Sequence, residues 1–166
     1  MSQICPLCGN AQLAAGHHPA GVCKDCSRLL LGLSRLLESF GSPAALVARD
    51  HTVLVTNSLL RRTFDERAAV GLRIGETIGC RNAAAYGPCG ETFACPHCGL
   101  KRLMELSRLT GERLDGITTR FQQISGPSRA FKLSTAKAGE AILLKVAAAR
   151  QTSDQPTVDP ASTSML

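Results

Sequence analysis

Long apolar runs are missing from this chain. No stretch of about eighteen apolar residues occurs, and the most apolar late segment, Ala141 to Ala149, carries Lys145 in its middle, so no membrane span is expected. The first ten residues lack the basic start and apolar core of a secretion signal, and they already hold a Cys-x-x-Cys pair. Aromatic rings are absent from the first 39 positions, which removes the platforms on which single-stranded bases stack. There is no phosphate-cradling glycine loop, no HExxH pair and no glycine-flanked nucleophilic serine. Together these absences predict a cytoplasmic, non-catalytic protein, and they disfavour disulfides, which persist in oxidising compartments.

What the chain has is cysteine, eight in 166 residues, arranged as two quartets. In the segment CRNAAAYGPCGETFACPHC, Cys80, Cys89, Cys95 and Cys98 are separated by eight, five and two residues, with glycines and prolines creasing the backbone between them. Four soft thiolates meeting at one point suit Zn²⁺ or an iron–sulfur cluster far better than Mg²⁺ or Ca²⁺. Disulfides, redox-active thiols and small buried apolar residues are the competing readings. The earlier quartet, Cys5-Pro6-Leu7-Cys8 and, after fourteen residues, Cys23-Lys24-Asp25-Cys26, follows the four-cysteine structural zinc pattern. So short a segment has too few apolar side chains to fold unaided, so metal binding would supply its folding free energy. His17 and His18 lie between the knuckles as alternative ligands, and with four cysteines present they read as loop residues.

The formal charge is +6 with every cysteine neutral. Two tetrathiolate sites, each carrying two negative charges, would leave about +2, so the basic excess needs no polyanion to explain it. Arg61, Arg62 and Arg67 form the only local basic concentration, and a solvated helix face accounts for them. Nucleic acid is therefore a disfavoured partner.

A 44% hydrophobic chain of this length can bury one medium core with a small satellite. Residues 1–27 read as a zinc ribbon and 28–41 as a linker helix. That helix is capped by Ser27, with Leu29, Leu33, Leu36 and Phe40 at helical spacing, Leu30 and Leu37 widening the stripe, and Gly41-Ser42-Pro43 as its stop. Such a leucine face either packs on a neighbouring core or pairs with its copy in a homodimer. From Ala44 the period changes to that of strands. Ala45 to Arg49 and Thr52 to Thr56 form a hairpin with Asp50-His51 as its turn. Asn57-Ser58 caps a helix to about Ala69, with Leu59, Leu60, Phe64 and Ala68 inward. Gly71 to Gly79 is a glycine-punctuated approach to Cys80. Leu100 to Thr110 is a helix with Leu103, Met104, Leu106 and Leu109 inward, stopped by Gly111. Strands at Gly116 to Ile124, Arg129 to Thr135 and Glu140 to Ala147 make a meander, and 151–166 is a polar, disordered tail.

Two strands, a helix, a variable middle and three antiparallel strands, over 42–150, resemble a PAS domain. The segments Gly75-Glu76-Thr77-Ile78-Gly79-Cys80-Arg81-Asn82-Ala83, Gly87-Pro88-Cys89-Gly90 and Cys95-Pro96-His97-Cys98-Gly99 resemble the cysteine-rich PAS variant of bacterial sensor histidine kinases. There a four-cysteine loop stands where other PAS domains hold flavin or haem. The resemblance implies an α+β fold with a four-cysteine loop, and a bacterial regulatory protein that senses redox state, a gas or metal status at Cys80, Cys89, Cys95 and Cys98. No kinase region follows, so output is expected through a protein partner or self-association. The other readings are a non-sensing adaptor with two structural zincs and a nucleic-acid-binding zinc-ribbon regulator. The expected cofactors are Zn²⁺ at Cys5, Cys8, Cys23 and Cys26, and an iron–sulfur cluster or Zn²⁺ at the second quartet.

Overall fold

The computed structural model describes residues 3–5, 7–8, 11–12, 20–64 and 70–149. His17, His18, Arg67, Ala68 and the segment 150–166 lie outside the described residues. Strands β1 (Gln3–Ile4) and β2 (Ala11–Gln12) form a two-residue antiparallel ladder. Helix α1 (Lys24–Glu38) leads to the hairpin β3 (Ala44–Val47) and β4 (Val53–Thr56), followed by short helices α2 (Ser58–Thr63), α3 (Ile74–Thr77) and α4 (Arg81–Tyr86). A 3₁₀ turn at Cys95–His97, helix α5 (Gly99–Thr110) and the meander β5 (Leu114–Phe121), β6 (Arg129–Ala138) and β7 (Ala141–Ala148) complete the order. The five long strands form one sheet, β4-β3-β7-β6-β5, with every neighbouring pair antiparallel. This is the expected α+β architecture.

The burial pattern explains why β3 and β4 read as unbroken apolar runs: all four residues of each are buried, because this side of the sheet is covered on both faces. On the inner face Ala45, Val47, Val53, Ile142, Leu144 and Val146 pack with Phe131 and Leu133 against Leu60, Phe64, Ile74, Ile78, Leu100 and Met104. Phe121 stacks on Phe131, and a buried hydrogen bond of 2.6 Å joins Ser107 of α5 to Thr135 of β6. On the outer face Ala44, Leu46, Leu54, Val55 and Ala141 receive α1 through Cys26, Leu30 and Leu37, together with Cys5, Ala20 and Val22. Lys145, which interrupts the last apolar run, lies 4.5 Å from the centre of the Phe40 ring, a favourable contact for a cation.

Several local expectations need correction. Cys23, not Ser27, is the N-cap of α1, since the helix starts at Lys24. Leu30 and Leu37 form its seated stripe, whereas Leu29 and Leu36 are more than half exposed, because the sheet meets only one side of the leucine-rich surface. Leu106 and Leu109 of α5 also face outward; the apolar contact runs through Leu100, Met104 and half-buried Leu103 instead. The stretch between Gly71 and Cys89 is less loop-like than its glycines suggest, holding α3 and α4.

Asn57 ties three elements together. Fully buried, it accepts the N–H groups of Ala44 and Leu60 on Oδ1 at 3.0 Å each, and it donates from Nδ2 to the carbonyls of Leu37 and Ser42. It thereby caps α2 and fixes the end of α1 to the start of β3. Next to it, the Glu38 carboxylate accepts from the backbone and hydroxyl of Ser58. The Ser58 hydroxyl and N–H, aided by Arg61, hold Glu38 below the usual carboxylate range.

Asn57→Ala should lower unfolding stability by about 3 kcal/mol, because buried backbone groups lose their partners, read as a shift in the urea midpoint at unchanged slope. A depressed carboxyl stabilises above its unfolded value and loses that contribution as pH falls through its folded value. The thermal midpoints of wild type and Glu38→Gln should therefore differ at neutral pH and converge on acidification.

Candidate metal centres

The N-terminal quartet is built by two turns and a helix start. Cys5 follows β1, Cys8 lies in the turn after it, Cys23 caps α1 and Cys26 sits in that helix's first turn. Their four sulfurs lie within 4.8 Å of one another, with Cys8 Sγ and Cys23 Sγ 3.8 Å apart. A tetrahedral ion with Zn–S bonds of about 2.3 Å requires sulfurs about 3.8 Å apart, so spacing and donor set both fit one such ion. Burial raises the Cys5 thiol, yet the N–H groups of Cys23, Cys8 and Leu7 outweigh it and bring it down to about 6; the Cys23 N–H lies 3.4 Å from the sulfur. Cys26 is pushed up, first by burial and then by its hydrogen bonds to Cys23, Cys8 and Cys5. Without a cation the sulfurs share protons, which a bound ion would displace.

In the second quartet each sulfur hangs from a different piece of the fold. Cys80 is the N-cap of α4 and Cys98 the N-cap of α5. Cys95 opens the 3₁₀ turn, and its sulfur accepts from Gly90 N–H at 3.2 Å and meets the Thr92 hydroxyl at 3.1 Å. Burial raises Cys95, but those Thr92 and Gly90 hydrogen bonds prevail and its pKa is lowered. Cys89 is pushed up to about 12 by burial, with the charges of Glu76, Cys95 and Cys98 adding to the rise. Burial likewise raises Cys98, with Cys80 and Cys95 as the neighbouring charges. Among the described residues only the N-terminal quartet gathers three or more ligand atoms within 4.8 Å; the second quartet shares a neighbourhood at wider spacing. No disulfide joins any of the eight.

The surroundings of Cys89 were not read as functional from the sequence. A Cβ at Gly75 would lie 2.6 Å from both Cβ and Sγ of Cys89, so glycine is what admits that side chain. Glu76 accepts the Cys89 N–H at 2.9 Å, and Arg73, paired with Glu91, donates to the Cys89 carbonyl at 2.8 Å. His51, expected as a simple turn residue, is buried, holds φ at +71° and packs its ring where a Cβ on Gly90 would sit. Burial first, then the charges of Lys101 and Arg108, lower its pKa. The glycines in this stretch were the available signal; which side chain each one admits depends on contacts far apart in sequence.

No family model and no curated protein matches the sequence. Solved structures do match. The LOV protein of Rhodobacter sphaeroides aligns at TM-score 0.53 and 12% identity, over 79% of this chain and 71% of that one. The PAS domain of Bordetella pertussis BvgS aligns at TM-score 0.54 and 13% identity, over 75% and 89%. A PAS domain from Colwellia psychrerythraea aligns at TM-score 0.50 and 7% identity, over 73% and 97%. The fold is that of a PAS domain. In this PAS domain the space between sheet and helices is filled by apolar side chains, and the sulfurs of Cys80, Cys89 and Cys98 pack against that filling. No described helix is long and apolar enough to cross a membrane.

Because Gly75 leaves no room for a side chain beside Cys89, Gly75→Ala should displace the cysteine. In metal-free protein, Cys89 should then react with a thiol reagent at least tenfold faster than in wild type, as followed by mass spectrometry of the labelled peptide.

Proposed function

We propose that this is a cytoplasmic, non-catalytic bacterial regulatory protein. Its PAS domain senses redox, gas or metal status at Cys80, Cys89, Cys95 and Cys98 and signals by protein contact, and a structural zinc occupies Cys5, Cys8, Cys23 and Cys26. The observation that carries this reading is the packing of three of the four later cysteines on the inner core. Side chains fill the inner face, so the cysteines are the reactive groups in touch with it. A metal or cluster bound there would supply sensitivity to oxidants or to metal supply. The chain's own part is mechanical. Cys80 and Cys98 fix the first turns of α4 and α5, Cys89 holds the loop to Gly75 and Glu76, and release of these sulfurs would free the loop from the core.

Output fits the opposite face. Leu29 and Leu36 of α1 are exposed and, with Leu33, Phe40, Leu46 and Leu143, line an apolar groove of about 400 Å³. This supports a protein partner or a homodimer through residues 29–40. The N-terminal quartet favours one further reading, a constitutive adaptor in which metal only holds loops, because that site is joined to the outer core through Cys5 and Cys26.

Hydrogen exchange and sedimentation of wild type against a Cys80→Ser, Cys89→Ser double variant separate the two. The sensor reading expects at least tenfold faster exchange in α4 and the first turns of α5, together with a change in exchange or association at α1. Unchanged α1 protection and unchanged association state would leave only the adaptor.

A further inference from the structure

Both quartets consist of cysteine alone, and the two are built to different spacings within one chain. We infer that Cys80, Cys89, Cys95 and Cys98 are arranged for a polynuclear iron–sulfur cluster and not for a single metal ion. This rests on the proposal that the later quartet holds a metal centre, and it names the kind.

A single ion draws four sulfurs to about 3.8 Å separations. The N-terminal quartet has that spacing, with every sulfur within 4.8 Å of the others. Among the described residues, no three sulfurs of the later quartet come so close. They nevertheless surround a shared space. Cys89 feels the charges of Cys95 and Cys98, and Cys98 those of Cys80 and Cys95. An inorganic core of several irons and sulfides stands between its cysteine ligands and holds them farther apart than one ion does.

The anchors show why these sulfurs would not simply collapse onto one ion. Cys89 is drawn back into the space left by the missing Gly75 side chain, with its N–H on Glu76 and its carbonyl on Arg73. Cys95 Sγ is held by Gly90 N–H and Thr92, and Lys101 of α5 reaches back to the Gly90 carbonyl at 3.2 Å. Closing to single-ion spacing would pull Cys89 off Gly75 and Cys95 off its two donors. A larger core meets the sulfurs where the backbone holds them. Hydrogen bonds from N–H groups to thiolate sulfur, of the kind Gly90 gives Cys95, stabilise the charge such a core leaves on its ligands. Arg73 and Lys101, each about a quarter exposed, supply positive charge nearby.

The test uses the full chain, purified without oxygen and then reconstituted with ferrous iron and sulfide under a thiol reductant. Metal, acid-labile sulfide and visible absorption are measured on wild type and on the Cys80→Ser, Cys89→Ser double variant. Wild type should hold about one zinc and iron with an equal amount of sulfide, about two to four of each per chain. The double variant should lose iron, sulfide and colour while keeping its zinc, and the retained zinc reports an intact N-terminal fold. About two zinc atoms per chain with no sulfide would overturn the cluster and leave the metal-sensing reading in place. One zinc and nothing at the later quartet, before or after reconstitution, would overturn both.

Discussion

Sulfur at the start of a helix is the contact on which both ends of this molecule depend. Cys23 precedes α1, Cys98 precedes α5 and Cys80 precedes the shorter α4. The first turn of a helix presents unpaired N–H groups and the positive end of the backbone dipole, which favours thiolate over thiol at such positions. The same geometry makes the cysteine a handle on the helix. A ligand that fixes the sulfur fixes the first turn, and for α1 and α5 the rest of the helix is already committed to the sheet through Leu30, Leu37, Leu100 and Met104.

The two quartets consequently stand on opposite faces of one sheet. Cys5 and Cys26 belong to the outer core with α1, and Cys80, Cys89 and Cys98 border the inner core with α5. Strand β3 lies between them, with Ala44 and Leu46 turned outward and Ala45 and Val47 inward. Close-packed interiors transmit displacement because there is little free volume to absorb it. Asn57 adds a polar link at the same place, joining the end of α1, the start of β3 and the cap of α2 through four hydrogen bonds. A change on the inner face thus has a short physical route to the leucines exposed on α1.

Much of this was legible in the sequence where one local rule acted alone. The β3–β4 hairpin, the last three strands, the Asn57 cap and the Gly111 stop, with Gly111 at φ +74°, follow from period, turn residues and left-handed glycine. The leucine helix was legible as a helix but not in its facing. Leucines at 29, 30, 33, 36 and 37 cover more than half of its circumference, so only the position of the sheet selects Leu30 and Leu37 for burial. His51 was misread for a similar reason. A turn residue is ordinarily exposed, and this one is covered by Gly90, whose missing side chain makes room for the ring.

By itself the sequence determined the chemistry: eight soft donors in two sets of four, because Cys-x-x-Cys spacing and glycine and proline creases are local properties of the chain. It likewise determined the α+β order, since strand and helix periods are written in neighbouring residues. The tertiary structure alone decided how far apart each set of sulfurs stands. Cys5 and Cys26 close up because α1 carries one knuckle onto the same outer core as the other. Cys89 is held back because Gly75 and Glu76, more than ten positions away, offer it a seat, and no local rule encodes a contact between two such distant stretches of backbone.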